Sequence, residues 1–114
     1  MIIEAGEKLH IVYRALFDKS NRRHFVGEVV AANEAFCRLK GYFFVYDEKK
    51  TEFIKKREMR TIVADLGQSG LLATIIDSSV VLDEIRYKYV PETGLVATDG
   101  KAFALDINEF GAKN

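Results

Sequence analysis

Three side chains in the sequence, those of His10, His24 and Cys37, are suited to nucleophilic or near-neutral acid–base chemistry. A thiol beside an imidazole is the catalytic pair that these residue types would provide. Cysteine is, however, among the most often buried residue types, and His24 stands beside arginines where a loop enters a predicted strand. The carboxylates are scattered and mostly flanked by basic residues, so no general acid–base pair can be selected. The sequence therefore predicts a protein that is not an enzyme.

The sequence also shows no signature of a metal, cofactor or membrane site. One cysteine and two histidines are too few for a structural zinc site. Gly67 and Gly70 are not followed by the lysine of a phosphate-cradling loop. No apolar run approaches the roughly 20 residues of a membrane span, and we expect no signal peptide in the first residues. We expect a cytoplasmic protein with no cofactor, no metal and no membrane contact.

Basic residues form two groups that could bind a polyanion, one near Arg22 and one in the segment "FIKKREMRTI". The net charge of the chain is zero, so contact with phosphates would depend on this local clustering. A strand would place Lys55 and Lys56 on opposite faces, and the alternative to binding is a solvated face. The predicted nucleic-acid-binding residues, one amide included, are Arg22, Arg23, Asn33, Lys55, Lys56 and Arg60.

The spacing of apolar residues places these side chains mostly on β-strands. A chain of 114 residues, 48% hydrophobic and 30% charged, is typical of a single globular domain, here residues 1–114. Apolar residues alternate in "KLHIVYRALF", where helical spacing leaves a short N-terminal helix as an open alternative. "HFVGEVVAAN" and "AFCRLKGYFFVYD" predict two further strands, and Gly27 and Gly41 predict kinks within them.

Two later regions complete the predicted sheet. Residues 52–66 fit either a strand or a helix, and we favour the strand because the neighbouring segments need pairing partners. A β-meander is predicted between Asp83 and Ile107, with Asp99-Gly100 as a two-residue hairpin turn. These elements together predict a mainly β fold.

The aromatic run "YFFVY" predicts an interface, because adjacent residues of a strand point to both faces and cannot all be buried in one core. A platform for stacking unpaired bases is the alternative role. Zero net charge gives little protection against self-association, which favours a homo-oligomer. The predicted interface residues are Tyr42, Phe44 and Tyr46.

The segment "RHFVGEVVAANEAFCRLKG", residues 23–41, resembles the first half of the Sm/LSm signature, including its Hfq-type relatives. That signature has a strand ending in glycine, an apolar residue two positions later, an acid six positions after the glycine, and then a Met-Asn pair. In this chain Asn33 stands where the family has the acid, and Cys37 where it has the base-contacting Asn. The positions of the signature are occupied by Gly27, Val29, Asn33, Phe36, Cys37 and Leu39.

This resemblance implies a strongly bent antiparallel small β-barrel that is Sm-like and closes into a ring by pairing of edge strands. It further implies that RNA is held at the central pore by the two turn regions, where Arg60 keeps the residue type of the family. The predicted C-terminal meander lies beyond the minimal family fold. A second segment, "DLGQSGL" (residues 65–71), resembles the PilZ motif that binds a cyclic dinucleotide, with Gly67 in place of Ser.

The sequence thus predicts an oligomeric binding module that contacts RNA or another single-stranded nucleic acid weakly through basic loops. Two alternatives stay open at this point. One is a structural or protein–protein interaction module, and the other is a PilZ-like sensor of a cyclic dinucleotide.

Overall fold

A computed structural model describes residues 2–13, 22–67 and 71–107. These residues are mainly β, and all their sheets are antiparallel, as the sequence predicts. The chain divides into two compact units, residues 1–78 and residues 79–114. The single domain expected from the sequence stays a prediction, and each unit is described by itself.

The described part of unit 1 is one six-stranded sheet in the order β4-β3-β2-β1-β6, with β5 also paired to β3. Consecutive strands lie side by side from β1 to β4, and β6 returns to pair with β1. The strands are β1 (Lys8–Tyr13), β2 (Arg23–Ala32), β3 (Phe36–Asp47), β4 (Glu52–Lys55), β5 (Arg60–Asp65) and β6 (Leu71–Ile76).

Strand β3 is long enough to pair with two strands in succession along the same edge. Its first half pairs with β5 and its last four residues pair with β4. Residues 52–66 are therefore strand, as favoured from the sequence, but the strand is interrupted between Lys55 and Arg60. The predicted barrel is not formed, because no ladder within the described ranges joins β6 to β4 or β5 and the sheet stays open.

The two faces of this sheet bury different kinds of side chain. The face that we call the core face carries a cluster of fully buried apolar residues. Alternation along the strands and the register of their pairing place the opposite set on the other face, which we call the histidine face. The core-face cluster consists of Leu9, Ile11, Phe25, Val29, Cys37, Leu39 and Ala64. The histidine face includes His10, His24, Val26, Tyr42 and Phe44.

Gly27 and Gly41, the predicted kinks, are directly opposite each other in the β2–β3 ladder. A Cβ atom on Gly41 would lie 1.8 Å from the carbonyl oxygen of Val26 and 2.6 Å from the Cα of Gly27. A Cβ on Gly27 would lie 2.5 Å from the ring of Phe25. The two glycines are therefore needed for close approach of backbone and ring, a role that glycine alone can fill.

Unit 2 contains a 3-10 turn (Leu82–Glu84) followed by a three-stranded meander, β7 (Arg86–Val90), β8 (Gly94–Thr98) and β9 (Ala104–Asp106). The predicted C-terminal meander is thus present. The predicted two-residue turn is wrong, since five residues separate β8 from β9 and only Gly100 of the Asp99-Gly100 pair has a positive φ. The Asp99 carboxylate instead accepts hydrogen bonds from the backbone N–H groups of Lys101 and Phe103.

The N-terminal helix left open by the sequence does not form over residues 8–13, which are β1, while residues 14–17 lie outside the described ranges. Extended pairing with both β2 and β6 satisfies the backbone of β1 and accounts for the strand. In the described parts of the chain, no helix has the length and apolar character needed to cross a membrane.

Candidate functional site

Four of the six predicted nucleic-acid-binding residues meet where β2 begins and β3 ends, although they come from two distant segments of the sequence. Strand pairing causes this convergence: Arg23 is opposite Val45, which is opposite Ile54 on β4. We call this set of residues, Arg22, Arg23, Lys55 and Lys56, the basic end. Because β4 is an edge strand, a ligand at its end can contact Lys55 on one face and Lys56 on the other, whereas Arg22 and Arg23 stand at the start of the interior strand β2.

Two cations of the basic end lie against aromatic rings. The guanidinium carbon of Arg22 is 5.3 Å from the ring centroid of Tyr46, and the backbone carbonyl of Arg22 accepts a hydrogen bond from the Tyr46 N–H. The ammonium of Lys55 is 4.6 Å from the ring centroid of Tyr42. Attraction between a cation and the ring face fixes the direction of both long side chains.

The other two cations of the basic end belong to the opposite face. Arg23 is exposed and shares the core-face side of the sheet with Val45. Lys56 is also exposed, and its backbone N–H donates to the carbonyl of Phe43 at the end of β4. Lys55 and Lys56 thus point to opposite faces, as the strand alternation predicts.

An open groove adjoins the basic end at the β3–β4 turn, and we call it the hairpin groove. Its volume is about 420 Å³. Asp47 holds the turn, since its Oδ1 accepts hydrogen bonds from the N–H groups of Lys49 at 2.9 Å and Lys50 at 3.3 Å. The groove is lined by Val45, Tyr46, Asp47, Glu48, Lys49, Lys50, Ile54 and Lys56.

Sequence reasoning missed most of this groove. The segment "DEKKT" predicts only a turn, and its two lysines were not assigned a role. The available signal was the charge of the turn combined with Val45 and Ile54, which the hairpin places opposite each other. Only the register of the β3–β4 pair shows that Val45 and Ile54 are neighbours.

Asn33 and Arg60 are not brought to the basic end. Asn33 lies at the other end of β3, where its Oδ1 accepts hydrogen bonds from the N–H groups of Ala35 at 2.9 Å and Phe36 at 2.8 Å. This arrangement shapes the tight connection between β2 and β3. Arg60 is exposed and pairs with Gly41 near the middle of β3.

Of the three predicted interface residues, Tyr46 alone offers substantial surface to a partner. Phe44 is 1% exposed and Tyr42 is 8% exposed, so both side chains lie within the fold. Tyr46 is partly exposed, and its ring centroid is 5.3 Å from that of Phe53. An interface at this position stays a prediction that rests on Tyr46.

Two histidines are buried side by side on the histidine face. His10 and His24 are 1% and 0% exposed, and their ring centroids are 5.5 Å apart. The His24 ring also lies 4.5 Å from that of Phe53. Burial, together with the neighbouring His24, lowers the pKa of His10 to about 4. His10 is therefore neutral at physiological pH.

Cys37 and His24 do not form the thiol–imidazole pair considered from the sequence. Cys37 belongs to the core-face cluster, whereas His24 lies on the histidine face, so the sheet separates them. Burial raises the pKa of the Cys37 thiol, which disfavours the thiolate. Cys37 is also fully buried, so its side chain has no exposed surface with which to contact a nucleobase.

Over residues 2–13, 22–67 and 71–107, no group of three or more His, Cys, Asp or Glu side chains is placed to hold a metal ion. In the segment that resembles the PilZ motif, Asp65 Oδ1 accepts a hydrogen bond from the Gly67 N–H, and residues 68–70 lie outside the described ranges. No family model, curated protein or solved structure matches this chain.

Proposed function

We propose that this protein is a non-enzymatic module that binds single-stranded nucleic acid, with RNA as the first candidate, through its basic end. The observation that supports this proposal is the convergence of Arg22, Arg23, Lys55 and Lys56 at one end of the strands, where β2 begins and β4 ends. Lysine and arginine that contact phosphates release counterions from the nucleic acid, which provides affinity without base recognition. Because each of the two faces contributes cations, a flexible single strand fits the basic end better than a rigid duplex.

Anisotropy of a labelled single-stranded oligouridine, measured between about 50 and about 200 mM salt, tests the proposal. We expect affinity to fall steeply as salt rises. The double variant Arg22→Gln, Arg23→Gln removes two cations, and the salt slope should decrease by about 1.4 for two lost phosphate contacts. Absence of binding at the lowest salt would rule out the proposal.

A matched control removes the same charge from unit 2. Arg86 and Lys88 are exposed on β7, and the double variant Arg86→Gln, Lys88→Gln should retain the salt slope of the unmodified protein. An equal loss in both double variants would mean that only the total charge matters. Denaturation midpoints of both variants check that each remains folded.

We also propose that the protein self-associates, in line with the Sm-like resemblance of residues 23–41. Support comes from three apolar side chains at the end of the sheet opposite the basic end: Val30, Phe36 and Val63 are 49%, 47% and 62% exposed. Phe36 and Val63 lie on the same face of the β3–β5 pair, in diagonal positions. Exposed apolar residues that cluster in this way favour contact with protein.

Light scattering over a range of concentrations tests this association. We expect an oligomer, and Val63→Glu should lower its mass towards that of one chain. A monomer at every concentration would rule out the self-association, and with it the ring expected from the resemblance, while leaving the proposal for the basic end unaffected.

A further inference from the structure

We propose that the hairpin groove holds one nucleotide of a bound single strand, with the base on Val45 and Ile54 and the phosphate on Lys49, Lys50 and Lys56. This inference rests on the proposed function and names the part of the strand that occupies the groove, a single nucleotide. Three features of the groove carry it: its size, its charge and the construction of its turn.

The size and the apolar floor of the groove suit one base with its sugar. A volume of about 420 Å³ is at the small end of the range for small-molecule sites. Val45 and Ile54 are paired across β3 and β4, so their half-buried side chains form a common apolar surface. Nucleobases are commonly held against apolar side chains when they leave a stack. The space is too small for several bases side by side.

The rim of the groove favours an anion. Lys49, Lys50 and Lys56 line it together with two acids, Asp47 and Glu48. The Asp47 carboxylate is already engaged with two backbone N–H groups of the turn, so the acid is part of the scaffold. Arg23 adds a further exposed cation beside Val45 on the same face. Three lysines against the two acids leave the lining with a net charge of +1 around an apolar floor, which suits a phosphate joined to a base.

The turn that presents the lysines is held in a costly backbone conformation. Thr51, a β-branched residue, has a φ of 51°, which is uncommon for a residue other than glycine. The Thr51 hydroxyl donates to the carbonyl of Lys50 at 2.7 Å, and Asp47 fixes the other side of the turn. Such strain persists where surrounding contacts impose it and is frequent at ligand sites. The backbone positions of Lys49 and Lys50 are therefore set before a ligand binds.

Amide chemical shifts during titration with uridine monophosphate test the inference, with uridine and inorganic phosphate as separate probes. Uridine monophosphate should shift residues 45–50 and 54–56, and each part alone should bind more weakly. Removal of two exposed charge contacts in Lys49→Gln, Lys50→Gln should weaken nucleotide binding about three- to tenfold. The Arg86→Gln, Lys88→Gln control should bind like the unmodified protein. Ile54→Ala should weaken binding of the nucleotide and leave binding of phosphate unchanged.

The outcomes separate this inference from the proposed function. If oligouridine binds but uridine monophosphate shifts no groove residue, the proposed nucleotide site is wrong and the basic end remains the proposed binding site. If uridine monophosphate binds in the groove but oligouridine does not bind, the groove is a nucleotide site and the strand-binding function is wrong. If phosphate binds as tightly as the nucleotide, the apolar floor plays no part and the assignment of the base is wrong.

Discussion

The core face and the histidine face of the unit 1 sheet are both buried, yet they depend on different physical interactions. Leu9, Ile11 and Phe25 on the core face are stabilised by removal of apolar surface from water, which does not change with pH. The histidine face also buries His10, whose imidazole stays neutral because burial lowers its pKa, and protonating it would place a charge within the fold. Equal burial therefore does not imply equal response to conditions, and the following substitutions should separate the two faces.

The largest effect is expected from Gly41→Ala on the core face. The new Cβ would lie 1.8 Å from the Val26 carbonyl oxygen, a backbone atom that cannot move without disturbing the β2–β3 ladder. We expect a loss of more than about 4 kcal/mol in the free energy of unfolding, the exceptional range for one substitution. Urea denaturation measures it. Gly67→Ala is the control, because its Cβ would meet only Asp65 Oδ1 at 3.5 Å; equal losses would contradict the prediction.

Ile11→Ala should have the next largest effect, since this side chain is fully buried in the core-face cluster. Truncation leaves a cavity, and the expected loss is about 2–5 kcal/mol at any pH at which the protein folds. Val81→Ala, at a position that is 51% exposed and outside the proposed association surface, should cost no more than about 0.5 kcal/mol. A loss for Ile11→Ala that grows between pH 7 and pH 5 would show that the core face is also sensitive to protons.

The histidine face should lose stability in acid. Above the unfolded pKa of His10, about 6.5, the imidazole is neutral in both the folded and the unfolded chain. The contribution of His10 to the free energy of unfolding is therefore fully present there. As pH falls from 6.5 to about 4 the unfolded chain takes up a proton that the folded chain does not, and about 3 kcal/mol is lost. Denaturation at several pH values measures this loss.

His10→Gln provides the comparison, because carboxylates also titrate in acid. The variant removes the titrating imidazole, so its free energy of unfolding should fall less between pH 6.5 and pH 4 than that of the unmodified protein. The stability of the variant at pH 6.5 does not affect this comparison, since only the slope of the free energy of unfolding against pH is compared. Parallel slopes would contradict the lowered pKa of His10.

The smallest effect is expected from Lys55→Met, which keeps most of the aliphatic stem and removes the charge over Tyr42. Loss of a partly exposed cation–ring contact should lower stability by about 0.5–1 kcal/mol. The same variant should weaken binding of oligouridine if Lys55 contacts phosphate. Lys88→Met on β7 is the matched control. An unchanged free energy of unfolding would show that the contact contributes nothing.

Alternation of apolar residues was sufficient to predict the mainly β fold, the strands around Gly27 and Gly41, and the strand in residues 52–66. Period-two spacing reports which side chains share a face, and each of these segments has a buried face. The glycines were predicted as kinks one at a time. Their direct pairing could not be predicted, because register depends on both strands together.

The site was less predictable than the fold because it depends on contacts between distant segments. Arg23 and Lys56 are 33 positions apart in the chain, and only the order of the strands places both beside Val45. The burial of both histidines was also not evident, since His10 alternates with apolar residues on a strand whose two faces are both covered. Closure of the barrel was wrongly expected from local resemblance, which carries no information about the distant edge strands.

The interruption between β4 and β5 affects how readily a strand from another molecule could pair with this edge of the sheet. A foreign strand that added to this side would find two short ladders, of four and six residues, in place of one long template. Lys56, Arg57 and Glu58 project from the gap, and charge at such a margin is a known deterrent to amyloid-type stacking. Among the described residues of unit 1, the margin formed by β6 has six consecutive strand residues and no such gap, so we expect uncontrolled addition of strands to begin there.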